Sequence, residues 1–307
     1  MTQERLASIS GRVQSRRGTW VIVLSSVFFA VMAVLARHLS KQVPAFQLSF
    51  IRFAIGSALM ASLFLWRRTP PDLTHSRKLL LRGLFGTSAV LTYFVAIARL
   101  GSGPATVLNY CSPIYAALFA SFFLKERPTG LMRAGLALAT VGAVLVSIAT
   151  GEFSQPLHPG LGGLAGLASG IFGGAAITVI RSLRNDTNAP TVFLAFSGVG
   201  LVISAPLAIP TWVPLEGALL PLALLMGLLS VGGQLLFTYG MGFTTATSGS
   251  ATTQLVPVLA WFLGVTFLSE PVLPLSALGA VLCVGGVLLG ALRPKASPQP
   301  VTAPLRE

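Results

Sequence analysis

Long apolar runs separated by short polar connections make up most of this chain. A helix needs roughly 20 apolar residues to cross the hydrocarbon core of a bilayer. On that length we predict ten spans, at residues 19–37, 45–66, 81–99, 103–124, 131–150, 160–181, 189–210, 217–240, 246–268 and 272–292. The least marked boundary lies in an uncharged stretch, where we place the break at the small and polar residues 242–249. The pattern predicts an all-α integral membrane protein.

The charged residues agree with this division, although hydropathy alone defined it. All eight acidic residues fall at helix ends, in connections or in tails: Glu4, Asp72, Glu126, Glu152, Asp186, Glu216, Glu270 and Glu307. With the N-terminus inside, 17 Lys and Arg residues collect on the cytoplasmic side, five of them between helices 2 and 3, and three on the other side. Arg52 remains as the only basic residue placed well inside a span. This bias predicts that both termini are cytoplasmic.

Composition excludes several other classes of protein. The chain is 53% hydrophobic and 9% charged, with a mean hydropathy of +0.80, so lipid is the expected environment of most of it. The net charge of +13 forms no basic face with interleaved aromatics, so we expect no nucleic-acid partner. Cys111 and Cys283 lie in apolar segments without ligand spacing, so we expect neither a metal nor a cofactor. No catalytic motif indicates an enzyme.

The chain also repeats itself after 144 residues without a gap. The shift aligns Pro113 with Pro257, Glu126 with Glu270, Gly135 with Gly279, Gly142 with Gly286 and Arg37 with Arg181. We therefore expect a cytoplasmic tail at 1–18, repeats at 19–150 and 160–292, and a disordered cytoplasmic tail at 293–307. Five predicted spans separate equivalent positions, so the second half enters the membrane with the opposite orientation. Such inverted repeats are typical of secondary transporters that work by alternating access.

Short motifs give a resemblance to a known family. They are SFIRFA at 49–54, NYCSP at 109–113 and LKERP at 124–128, with TQLVP at 253–257 and LSEP at 268–271 in the second half. In these motifs the chain resembles the EamA-type drug/metabolite transporters. The resemblance implies a five-plus-five helix bundle in a bacterial inner membrane. It leaves the substrate open, because that family carries amino acids, nucleoside-type metabolites, vitamins and drugs.

Polar residues on two repeat-related helices are candidates for a central cavity. Thr106, Asn109 and Pro113 share one face of predicted helix 4, and Tyr110 extends it. Helix 9 repeats that face with Ser250, Thr253 and Pro257, and Gln254 extends it. Either these groups line a substrate cavity or they only link helices by hydrogen bonds.

Further candidates lie on other helices. Gln234, Thr238 and Tyr239 on helix 8 and Tyr93 on helix 3 are able to contact a ligand, although plain packing explains the aromatic rings equally well. Arg52 either attracts a substrate carboxylate or phosphate, or has a structural role in which its side chain reaches the membrane interface.

Five residues are assigned to structure or gating: the two helix prolines Pro113 and Pro257, and Glu126, Glu270 and Gly170. Glu126 and Glu270 end helices 4 and 9 on opposite sides of the membrane, where each is able to accept from helix amides or pair with an arginine. Helix 6 carries glycines every four residues from Gly162 to Gly174, and we expect a bulky residue at Gly170 to block transport.

The sequence thus favours a carrier of a small neutral, zwitterionic or anionic metabolite, with amino acids first. Drugs, a riboflavin-like vitamin and S-adenosylmethionine remain alternatives, and a channel or membrane scaffold is the alternative class. No acidic residue is placed near the middle of a span, so we expect facilitated diffusion or exchange rather than proton symport. We expect a monomer or homodimer.

Overall fold

A computed structural model describes residues 3–123, 130–149, 160–183, 187–241, 243 and 252–291, and the secondary structure of this part is helical. The α-helices are α1 (Gln3–Leu39), α2 (Ala45–Arg67), α3 (Ser76–Leu100), α4 (Ser102–Asn109), α5 (Ser112–Phe123), α6 (Gly130–Ala149), α7 (Leu161–Leu183), α8 (Ala189–Ala208), α9 (Leu219–Met241), α10 (Leu255–Leu268) and α11 (Pro274–Ala291). A single 3-10 turn, Ile209–Thr211, extends α8.

Six helices in the described ranges are long and apolar enough to cross a bilayer. They lie at Gly18–Leu39, Ala45–Arg67, Ser76–Leu100, Leu161–Ile180, Ala189–Thr211 and Leu219–Gly240. Shorter apolar helices lie at Arg133–Val146, Leu255–Leu268 and Pro274–Leu289. The chain is therefore a multi-pass membrane protein.

Two predicted boundaries differ from the structure. The segment expected to be one helix at 103–124 is two helices, α4 and α5, separated at Tyr110 and Cys111. Pro113 has no N–H to donate to the carbonyl of Asn109, so a continuous hydrogen-bond ladder is interrupted there. In addition, the predicted N-terminal tail is helical from Gln3, so α1 begins well before the first predicted span.

The helices before residue 150 pack mainly against those after residue 160. The most extensive pairs are α6 with α11, α3 with α7, α1 with α9, and α2 with α8. Both α4 and α5 contact α7, while α10 contacts α1 and α4. The two parts of the chain therefore interleave and share one core.

Glycines bring the backbones of α6 and α11 together. A Cβ atom built on Gly142 would lie 2.5 Å from the carbonyl oxygen of Gly279, and one on Gly286 would lie 2.6 Å from that of Gly135. No side chain fits into such spaces, so small residues are required there. At the same interface the Cys283 thiol donates to the carbonyl of Ala139, 3.3 Å away.

Candidate functional site

Several predicted site residues meet around the break between α4 and α5. The hydroxyls of Tyr93 and Thr106 are 2.7 Å apart and hydrogen-bond α3 to α4. The Asn109 amide donates to the hydroxyl of Ser169 on α7 at 3.2 Å. Both bonds join different helices. In the structure these side chains therefore have the helix-linking hydrogen bonds that were the alternative to lining a substrate cavity.

Gln254 connects the start of α10 to the same place. Its side-chain amide donates to the carbonyl of Tyr110 at 3.1 Å. The separation of the two residues is 144, which is the period of the internal repeat. Thr253 and Pro257 are buried beside this contact, while Pro113 is half-buried at the start of α5. The repeat-related faces predicted from sequence therefore meet each other.

Arg52 lies inside the bundle on α2. Only 7% of it is exposed, and its guanidinium interacts electrostatically with the phenol groups of Tyr93 and Tyr110. Burial of this side chain argues against the expectation that it reaches the membrane interface.

A second buried arginine, Arg82, was missed in the sequence. It was counted among the five basic residues between helices 2 and 3, although it falls at the edge of the predicted span 81–99; it lies on α3 and is 6% exposed. Arg52 is therefore not the only basic residue deep in a helix of the described chain. The available signal was the run Leu79-Leu80-Leu81 directly before Arg82, which extends the apolar segment past the charge.

The Arg82 guanidinium rests on an aromatic cluster formed by α2 and α8. Its Cζ atom lies 4.2 Å from the centroid of the Phe196 ring, a distance that allows a cation–π interaction. Phe53 and Phe193 contact the same ring edge-on, with centroid distances of 5.4 and 6.0 Å. The Nε and Nη1 atoms of Arg82 are buried without a hydrogen-bond partner.

Positive charge is thus concentrated at this place. Arg52 is near enough to Arg82 for their charges to interact. Within the described ranges, the acidic side chains with defined positions are Asp72, Glu216 and Glu270. The ion pair found among the described residues joins Arg37 to Glu270, so neither buried arginine is neutralised by one of them.

Two of the polar residues predicted on α9, Thr238 and Tyr239, have described contacts outside this group. The Thr238 hydroxyl donates to the carbonyl of Gln234 within the same helix, 2.8 Å away. Tyr239 is 63% exposed and packs against Phe243, with ring centroids 4.9 Å apart. Its predicted position in a cavity is wrong, because Tyr239 lies on the face of α9 that points away from the bundle.

Glu270 forms a second polar cluster with Arg37 and Ser102, here called the Glu270 cluster. The Glu270 carboxylate accepts from the backbone N–H of Ser102 at 2.8 Å and from its hydroxyl at 3.0 Å. Arg37 Nε lies 3.7 Å from the same carboxylate, and the guanidinium also donates to the carbonyls of Ile97 and Ala98. One carboxylate thus ties together the ends of α1, α3 and α10 and the start of α4. Its repeat equivalent, Glu126, lies outside the described residues.

The glycine face of α7 packs against the break between α4 and α5. A Cβ atom on Gly170 would lie 2.7 Å from the carbonyl oxygen of Leu108, and one on Gly174 would lie 2.6 Å from Tyr115 Cβ. The Thr178 hydroxyl donates to the carbonyl of Ala116 on α5 at 3.3 Å, which continues this contact line toward the end of α7. Gly170 is therefore a close-packing position directly beside the candidate site.

Comparison with known proteins identifies relatives along nearly the whole chain. The model of the EamA-like transporter family matches residues 16–148 and again 160–291. The chain is 28% identical over 270 residues to the pseudopaline exporter CntI of Pseudomonas aeruginosa (strain UCBPP-PA14), with 88% of this chain and 94% of that protein covered. It is 25% identical over 281 residues to a probable terminal-alkyne amino-acid exporter of Streptantibioticus cattleyicolor, with 89% and 93% covered. A solved crystal structure superposes with a TM-score of 0.60 at 22% identity, covering 90% of this chain and 96% of that one, and so shows similarity of fold.

Proposed function

Because the chain belongs to the EamA-like transporter family, it is a transporter and not an enzyme, and we propose that it carries a small metabolite by alternating access. The route runs through the centre of a ten-helix bundle, between two inverted five-helix repeats. The candidate site around Tyr93, Asn109, Tyr110 and Gln254 lies between the two repeats.

The count of ten crossings follows if α4 and α5 cross the membrane as one interrupted helix. The first half then consists of α1, α2, α3, α4–α5 and α6, and the second half of α7 to α11. A proline-interrupted crossing is tolerated in a membrane when neighbouring groups satisfy the freed backbone. The bond from Gln254 to the carbonyl of Tyr110 meets this condition at the break.

The helix pairings support a two-fold relation between the halves. The helices equivalent in the two halves are α1 and α7, α2 and α8, α3 and α9, α4–α5 and α10, and α6 and α11. If each helix is replaced by its equivalent, the packed pair α3–α7 becomes α1–α9, which is also packed. In the same way α3–α8 becomes α2–α9, and α4–α7 becomes α1–α10. The pairs α2–α8, α4–α10 and α6–α11 each join equivalent helices. An axis in the membrane plane requires such a pattern.

One observation carries this proposal. On a two-fold axis a residue meets its own equivalent, and two hydrogen bonds join residues that are 144 apart: Gln254 with Tyr110, and Cys283 with Ala139. Two bonds in different helix pairs share the period of the sequence repeat. A transporter with this symmetry is able to exchange the conformations of its halves around the central site.

The Glu270 cluster is the proposed extracytoplasmic closure. With cytoplasmic termini, α1 and α3 end on the extracytoplasmic side, where the cluster joins them to α4 and α10. Glu126 and Arg181 are the repeat equivalents of Glu270 and Arg37, so we propose that they close the cytoplasmic side in the opposite state.

The substrate class and location are also proposals. One relative is named an amino-acid exporter and another a pseudopaline exporter, which supports export of an amino acid or related compound from the bacterial cytoplasm across the inner membrane. We retain monomer or homodimer as the assembly. Burial of Arg82 leaves 16 basic residues on the cytoplasmic side against three on the other, so the basis for placing both termini in the cytoplasm stands.

Counterflow in proteoliposomes tests the transport mechanism. Vesicles loaded with an unlabelled amino acid are diluted into the labelled compound, and amino acids are tested singly. A carrier gives saturable uptake that is stimulated by the internal substrate. Flux that rises linearly with concentration, without such stimulation, would indicate a channel instead.

A reversible staple tests the closure. A Cβ atom on Gly264 would lie 2.5 Å from the hydroxyl of Ser102 and would also meet the Glu270 carboxylate. Ser102→Cys with Gly264→Cys therefore places two thiols side by side for a disulfide and displaces that carboxylate. In a background with Cys111→Ala and Cys283→Ala, oxidation is expected to stop counterflow and dithiothreitol to restore it. Each single-cysteine variant is the control. Full counterflow with the disulfide formed contradicts a gating role of this region.

A further inference from the structure

Two arginines are buried near each other in the bundle, and the acidic residues whose side chains are described do not pair with them. Arg52 and Arg82 are 7% and 6% exposed, and they are close enough for their charges to interact. The described acidic side chains of defined position do not pair with either one, since Glu270 pairs with Arg37 and Asp72 bonds Thr74, while Glu216 is exposed in the connection before α9. We propose that the two arginines form an anion site, and that the transported metabolite is an organic anion bound there through carboxylate groups. This inference rests on the proposed transport function.

Burial of two neighbouring positive charges is costly in free energy. A cation removed from water is strongly unfavourable unless it is paired, and removal of water from two neighbouring cations adds their repulsion. Intramembrane arginines are therefore rare and mark substrate or ion pathways. A bound anion supplies the missing partner for both.

The geometry of Arg82 specifies how the anion binds. The face of its guanidinium is occupied by the Phe196 ring, so its hydrogen-bonding edge remains for a ligand. Two of its nitrogens, Nε and Nη1, are buried there without a partner. The N–H bonds of these two atoms point in different directions, so each is able to donate to a separate oxygen of a bound anion. The Phe53–Phe196 contact fixes the ring that supports this orientation.

Arg52 provides the second recognition point. Its guanidinium is near the phenol groups of Tyr93 and Tyr110, and the Tyr110 carbonyl is joined to Gln254 at the repeat interface. The anion site therefore continues into the candidate site between the halves. Two guanidinium groups without a described carboxylate favour a substrate with at least one more negative than positive charge. Dicarboxylates and amino acids with an additional carboxylate satisfy this requirement, whereas amines and neutral amino acids do not.

Ligand-induced thermal shift on the purified full-length protein is the test. The probes are linear dicarboxylates from succinate to suberate, the corresponding diamides, glycerol 3-phosphate and 1,5-diaminopentane. At least one dicarboxylate is expected to raise the Tm by several degrees, because it binds only the folded protein, and its diamide is expected to give no shift. A shift with glycerol 3-phosphate alone would overturn the assignment to carboxylates, and a shift with the diamine alone would overturn the anion site.

Substitution separates binding from structural support. Arg82→Met and Arg52→Met are each expected to abolish the dicarboxylate shift, while the Tm without ligand stays the same or rises because an unpaired charge is removed. Arg99→Met is the matched control, since Arg99 is exposed on the same helix as Arg82. A dicarboxylate shift retained in Arg82→Met, or a large fall of its ligand-free Tm, would overturn the proposal.

Counterflow distinguishes this inference from the proposed function. If a neutral amino acid exchanges across the vesicles while no dicarboxylate binds or exchanges, the anion site is refuted and the transporter remains. If the protein exchanges dicarboxylates and Arg99→Met retains this activity while Arg82→Met loses it, both proposals are supported. If no probe of any charge exchanges and none shifts the Tm, both fail.

Discussion

At the scale of single residues, Glu270 has contacts that differ in strength. Its hydrogen bonds to Ser102 involve a charged acceptor and a buried donor residue, and such bonds contribute about 1.5–3 kcal/mol each. Its pairing with Arg37 at 3.7 Å is longer and partly exposed, and such pairs contribute about 0–1 kcal/mol. The hold of α10 on the start of α4 therefore depends chiefly on Ser102.

Glu270→Gln is expected to weaken this hold by about 1–2 kcal/mol, because a neutral amide is a weaker acceptor than a carboxylate. If the cluster is a closure, the open state is then about tenfold more populated. In the background without native cysteines, Ser102→Cys is expected to react correspondingly faster with a membrane-impermeant maleimide. Glu216→Gln is the control, because Glu216 is exposed in a connection. An unchanged labelling rate in Glu270→Gln contradicts the closure.

Gly86 offers a way to move Arg82 without removing its charge. A Cβ atom on Gly86 would clash with Arg82 Nη1 and lie 2.8 Å from Phe196 Cδ2. Gly86→Ala is expected to displace the guanidinium and reduce dicarboxylate affinity at least roughly tenfold, because one charge-assisted hydrogen bond of about 1.5–3 kcal/mol is lost. Titration of the thermal shift measures this. Gly198→Ala, where nothing lies within 4 Å, is expected to retain the wild-type affinity.

Individual residues were predictable where their sequence spacing defines a helix face. Tyr110 and Gln254 were predicted to extend repeat-related faces of two helices, and a hydrogen bond joins them in the structure. Tyr239 was misplaced because α9 is apolar on all sides, so its sequence does not reveal which face points inward. Arg82 was misplaced because the positive-inside rule assigns basic residues to a side of the membrane. It does not tell how far a helix continues beyond a basic residue at its end.

At the scale of elements, hydropathy located the apolar helices but could not locate the break inside one of them. Residues 103–124 are apolar on both sides of Tyr110, so a hydropathy window passes over it. The backbone N–H of Tyr110 donates to the carbonyl of Thr106, four residues earlier, as in an α-helix. The N–H of Cys111 instead donates to the carbonyl of Leu108, three residues earlier. Pro113 was a visible signal, but whether proline bends or ends a helix depends on tertiary partners such as Gln254.

The contact between α7 and α4–α5 leads to a prediction at Gly170. Gly170→Leu would place side-chain atoms against the Leu108 carbonyl, a backbone group that cannot rotate away. Overpacking of this kind costs about 1–3 kcal/mol, so the Tm is expected to fall and counterflow to be lost as α7 moves from the site. Gly198→Leu on α8 is the matched control with open space around it. Normal counterflow and Tm in Gly170→Leu would show that this contact is not required.

At the scale of the whole molecule, the internal repeat is more than a record of duplication. The same small residue is needed at equivalent positions of both halves only if the two positions are packed in the same way. Gly142 contacts Gly279, and Gly286 contacts Gly135, so the two contacts exchange under the shift of 144. Outside such contacts the halves differ: Gly285, next to Gly286, has nothing within 4 Å of its added Cβ.

This relation predicts equal effects from substitutions that are far apart in sequence. Gly142→Leu and Gly286→Leu each force a side chain against the backbone of the partner helix, at 2.5 and 2.6 Å. Each is expected to destabilise the protein by about 1–3 kcal/mol, with similar shifts of Tm in detergent. Gly285→Leu, one residue away on α11, is expected to leave the Tm nearly unchanged. Because Gly142 and Gly286 lie in opposite halves, their similarity tests the two-fold relation itself, and a large effect at only one of them would mean that the α6–α11 contact is not symmetric.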